Sequence, residues 1–154
     1  MMKKYIINGL RVGTLIFTIL LVGSVLLQIV ARFLFPSTPP WTEEASRLFF
    51  IYAIAFASGL AFLENEYVSL DILFNRLSEK GKTRLTILIQ GLTTILFGVV
   101  AVYSVPFIQL GLLENSPSMG IKMALPFASM LLLASTIAVF SFLELMNTLR
   151  NPTS

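Results

Sequence analysis

The side chains able to do chemistry are few and unevenly placed. The 154 residues hold eight carboxylates and eleven Lys or Arg side chains, with no Cys and no His. Without those two types there is no thiolate nucleophile, no imidazole base, no disulfide and none of the usual zinc or haem ligands. What remains is carboxylate–guanidinium chemistry. Its densest group is Arg32 followed by Pro40-Trp41-Thr42-Glu43-Glu44-Ala45-Ser46-Arg47. Glu43 and Arg47 are four apart and Glu44 and Arg47 three apart, so either pair can meet on one helix face. With Arg32 reaching across, these four charges are expected to form an ion network. Trp41 suits the headgroup belt of a membrane. A helix start accounts for much of the same cluster, with Thr42 as N-cap and the two glutamates at the positive end of the helix dipole.

Elsewhere the chemistry thins out. Intramembrane ionisable groups are costly and normally mark proton relays or ion paths, yet the apolar runs are uncharged in their middles. Gln28, Gln90 and Gln109 are the most polar long side chains inside or near them, and they read as helix–helix hydrogen-bonding groups. Pro106 and Pro126 fall near the ends of runs, where proline is tolerated, and no internal repeat or matched pair of broken helices suggests a carrier built on exposed carbonyls. No catalytic constellation is present, so an enzyme is not expected, and no cofactor is implied. The scattered Lys and Arg residues form no basic stripe, which argues against nucleic acid as a partner.

The elements that position these groups follow from composition. Hydrophobic residues make up 56% of the chain and charged residues 12%, about half the share in soluble domains. Mean hydropathy is +0.85. Four uncharged runs are long enough to cross a bilayer, which takes about 20 apolar residues each. The expectation is an all-α membrane protein: one integral-membrane domain over 1–154 with spans near 12–34, 43–64, 84–106 and 122–146. The first span reads as an uncleaved signal anchor, since its exit lacks a small-residue cleavage pattern. Between the second and third, Leu70, Leu73, Phe74 and Leu77 recur at helical spacing while Asp71 and Arg76 fall elsewhere around the turn. That stripe predicts a short amphipathic helix over about 67–79, lying at the interface with membrane lipids; an ordinary loop with chance periodicity is the alternative. Counting Lys and Arg places eight on the side of the termini and the 64–84 connection, against three on the other. Both termini are therefore expected in the cytoplasm. Ala53, Ala57 and Ala61 form a small-residue face suited to close helix approach, and Gly91 and Gly98 offer a second.

Gln28-Ile29-Val30-Ala31-Arg32-Phe33, followed by the Pro40–Arg47 string, resembles the small (Q, DctQ-type) membrane subunit of tripartite ATP-independent periplasmic (TRAP) transporters. Asp71, Ser116-Pro117 and Pro126 fit the same family, and the resemblance spans almost the whole chain. It departs from the pattern at Tyr67, near which a histidine often precedes the aspartate, and at Lys122, where proline is frequent. The resemblance implies a subunit of the bacterial inner membrane that braces a much larger membrane subunit. That partner would hold the substrate and sodium sites, and a soluble periplasmic substrate-binding protein would deliver an organic acid of the sialic acid or C4-dicarboxylate class. Uptake would be sodium-driven and independent of ATP. The competing expectation is a small drug or cation exporter acting as a self-associated dimer, a class that needs a membrane-embedded carboxylate.

Overall fold

The structure, a computed structural model, describes residues 2–34, 39–64 and 78–150. They form four helices: α1 (Met2–Leu34), α2 (Trp41–Glu64), α3 (Glu79–Gly111) and α4 (Ala124–Arg150). Among the described residues there is no strand, and one isolated bridge pairs Asn115 with Lys122. At 1.5 Å per residue the helices run from about 36 to 50 Å, each more than the hydrocarbon thickness of a bilayer. All four are apolar enough to cross one. The chain is an all-α, four-helix membrane protein. Leu70, Asp71, Leu73 and Leu77, expected on the interfacial helix, lie outside the described residues.

The helices are arranged in space as α1–α2–α4–α3. The α1–α2 and α3–α4 hairpins each pack internally, and they meet along a seam between α2 and α4. This leaves α1 and α3 on the flanks, each with one principal neighbour.

The interior is made mostly of small residues. Ala31, Ala45, Ala53, Ala55, Ala124 and Ala134 are buried, joined by Leu10, Ile137 and Phe140, and the largest side chains with essentially no exposure are only Thr42, Ser104 and Ser141. Long apolar side chains point outward instead, including Leu15, Ile19, Leu26 and Phe33 on α1 and Leu92, Ile95, Val102 and Leu110 on α3. A water-soluble core has the reverse arrangement. In lipid, leucine gains nothing by leaving the solvent, so helices associate by close backbone approach and van der Waals fit. Several interior hydroxyls are satisfied on their own helix: Ser104 donates to Val100 O at 2.7 Å, Ser129 to Pro126 O at 2.6 Å and Thr136 to Leu132 O at 2.6 Å. A hydroxyl bonded back to its own helix behaves as a small, nearly apolar group, which is what tight packing in a bilayer requires.

Three details differ from the sequence reading. The buried small residues of α2 are Ala45, Ala53, Ala55 and Gly59, while Ala57 and Ala61 are only partly buried. The second helix packs against α1 on one side and α4 on another, so its buried positions fall on more than one face and not on a single four-residue repeat. Gly91 and Gly98 face open space, with nothing that an added Cβ would meet within 4 Å. Thr42 lies inside α2, and its hydroxyl donates to Pro39 O at 2.8 Å instead of accepting from the helix as an N-cap would.

Candidate functional site at the loop end of the bundle

The polar residues of the Pro40–Arg47 string sit where α2 begins, at the end of the bundle that also carries the connection from α3 to α4. Trp41 is the first residue of α2 and is 44% exposed. Glu43 and Glu44 follow in the first turn, and successive helical residues point about 100° apart. The two carboxylates accordingly have different partners. Glu43 Oε1 accepts from Arg47 Nη2 one turn along, in a pair open to water on both sides. Such exposed pairs contribute little, about 0–1 kcal/mol.

Glu44 turns the other way and meets the α3–α4 connection. Its Oε2 accepts from the Ser116 hydroxyl and from Met119 N at 2.8 Å, and its Oε1 accepts from Ser118 N at 3.0 Å. Ser116 Oγ also accepts from Met119 N at 3.2 Å, which closes the turn around the carboxylate. The connection is a compact hairpin: Ser116 N donates to Ile121 O at 2.8 Å, Gly120 N to Ser116 O at 3.1 Å and Met123 N to Glu114 O at 3.1 Å. Gly120 has φ +67, a left-handed conformation that lets the strand reverse and that glycine adopts without a Cβ penalty. Backbone N–H groups converging on one anion make a concave acceptor site, here filled by the protein's own side chain.

Arg32 lies in the last turn of α1, where a cation complements the helix dipole. Among the described residues no hydrogen bond or ion pair joins it to Glu43, Glu44 or Arg47. Beside the hairpin a cleft of about 250 Å³ opens, walled mainly by Leu48, Ile121, Met123 and Pro126, with Arg47 and Glu44 at its polar edge.

Deeper contacts hold this end in register. Ser24 on α1 and Ser46 on α2 share a hydrogen bond at 2.9 Å. Phe17 on α1 stacks on Tyr52 and Phe56 of α2, with centroids 5.0 and 5.6 Å away. Tyr52 also donates its hydroxyl to Leu125 O on α4 at 2.8 Å, so one ring serves both interfaces of α2. Toward the other end, Ser141 on α4 donates to Gln90 O on α3 at 2.9 Å. Gln90 therefore joins the helices through its backbone, while its side-chain Oε1 is buried without a partner. Gln109 is exposed. Among the described residues no three His, Cys, Asp or Glu side chains come together as a metal-ligand set.

Four apolar helices with small residues inside, large apolar side chains outside and polar clusters at a loop end define a multi-pass membrane protein. The sequence profile described as "Tripartite ATP-independent periplasmic transporters, DctQ component" matches residues 21–151. The chain belongs to this family of transporter membrane subunits. Among its relatives are two TRAP transporter small permease proteins of Haemophilus influenzae. One is 24% identical over 139 residues, covering 90% of this chain and 81% of the relative. The other is 28% identical over 125 residues, covering 81% and 78%.

Proposed function

We propose that this chain is the non-catalytic small subunit of a sodium-coupled TRAP transporter of the bacterial inner membrane, and that it braces the large membrane subunit. The observation that carries this reading is the family match over residues 21–151. The single-sided packing of α1 and α3, whose outer faces are rows of large apolar side chains, is compatible with a membrane partner lying beside them. The transport sites then belong to the large subunit, and the substrate is an organic acid of the sialic acid or C4-dicarboxylate class. With both termini cytoplasmic, the loop end faces the periplasm. Arg32, Trp41, Glu43, Glu44 and Arg47 would then stand near the surface where the substrate-binding protein arrives.

Affinity purification of the tagged chain from mild detergent, with identification of co-purifying membrane proteins, tests the bracing role. A large membrane subunit is expected in near-stoichiometric amount. Recovery of the chain alone, or only as a dimer, under conditions that preserve uptake in the parent membranes would overturn the proposal.

A further inference from the structure

We infer that Glu44 is a latch: it holds the tip of the Glu114–Met123 hairpin down on α2, and the hairpin is a strap with a fixed root and a releasable tip. The root is fixed by a close approach. A Cβ on Gly111, the last residue of α3, would run into the backbone of Met123 and Ala124 at the start of α4. The corner where the two helices meet is therefore closely packed backbone to backbone. The tip, from Ser116 to Ile121, is held differently. It carries a few backbone bonds of its own and one left-handed glycine, and a two-stranded hairpin of this kind is at best marginally stable alone. Three donors from the tip reach back to one carboxylate on α2, more than seventy residues earlier in the chain.

The chemistry of the latch suits release. Glu44 is held by N–H and O–H donors alone, while the nearest guanidinium on its own helix, Arg47, is engaged with Glu43. A carboxylate locked by a bidentate arginine would have to break a charge-assisted fork to open. Here the three bonds are also strengthened by the carboxylate charge, but opening exchanges them for water without leaving an opposite charge unpaired, and Glu44 is half-exposed, so the freed charge is solvated and not stranded. Lifting the tip would widen the apolar cleft bounded by Leu48, Ile121, Met123 and Pro126. On the reading given under Proposed function, which this consequence rests on, the strap lies on the face met by the soluble partner, and the latch sets the shape that partner encounters.

Amide hydrogen exchange on the purified full chain in lipid nanodiscs tests the latch without any partner, so its failure is separate from failure of the transporter reading. In the wild-type chain the amides of Ser118 and Met119 should exchange slowly. Glu44→Ala should speed both by about tenfold or more, Glu44→Gln less, while helical amides of α3 and α4 keep their rates. Glu43→Ala should change neither. Should Glu44→Ala fail to fold, Ser116→Ala is the second variant. It removes one bond of the latch and should accelerate Met119 measurably. Unchanged protection of Ser118 and Met119 without the Glu44 carboxylate would overturn the proposal. Loss of protection spread evenly through α3 and α4 would overturn it too, since Glu44 would then support global stability and not a local tip.

Discussion

The seam between α2 and α4 has its closest approach at a glycine, and Gly59→Ala measures how tight that approach is. A Cβ at position 59 would lie 2.5 Å from Thr136 Cγ2 and 3.3 Å from Leu10 Cδ1. Thr136 has little room to yield, because its hydroxyl is tied to Leu132 O at 2.6 Å and rotating χ1 would break that bond. The remaining response is for the helices to part. Overpacking of this kind costs about 1–3 kcal/mol, offset by about 0.5–1 kcal/mol from replacing glycine inside a helix. The net expectation is a loss of roughly 0–2.5 kcal/mol, centred near 1. Reversible unfolding in mixed micelles, followed by circular dichroism, reads it directly. Gly98→Ala is the control, since nothing stands within 4 Å of its added methyl, and it should be neutral or slightly stabilising. Thr136→Ser keeps the hydroxyl and deletes the clashing methyl, so in the double variant most of the loss should disappear. If Gly59→Ala unfolds like Gly98→Ala, or if the double variant is merely additive, the close approach at this seam is wrong.

Other substitutions probe the polar ties. Ser141→Ala removes the fully buried bond to Gln90 O and should cost about 0.5–1.5 kcal/mol in the same unfolding assay. Gln90→Met should be neutral or stabilising, because the Oε1 it deletes is buried and unpaired; a loss above about 1.5 kcal/mol would imply a partner for that oxygen. Tyr52→Phe keeps the stack on Phe17 but loses the bond to Leu125 O, with an expected cost of about 1 kcal/mol. Glu43→Ala should cost no more than about 1 kcal/mol, as both members of its pair are exposed.

What could be read in advance was what depends on neighbours in sequence or on bulk composition. Four helices follow from four uncharged apolar runs, and the Glu43–Arg47 pair follows from four-residue spacing. The family was legible in the Gln28–Phe33 and Pro40–Arg47 strings. Contacts across the fold were not legible. Nothing local tells that Glu44 has its donors at Ser116, Ser118 and Met119, more than seventy residues away in the chain. Nor does glycine spacing distinguish Gly59, wedged against Thr136, from Gly98, which faces open space. Thr42 misleads for a related reason: Pro39 supplies a carbonyl where an N-cap would need a donor.

The central claim is that these four helices support transport without providing its pathway. Proteoliposomes carrying an inward sodium gradient test it most directly. The chain is reconstituted alone, then with its large membrane subunit, each with the soluble binding protein and a labelled organic acid outside. Accumulation is expected only when both membrane chains are present, and collapse of the sodium gradient should abolish it. Sodium-dependent accumulation by this chain alone would contradict the claim.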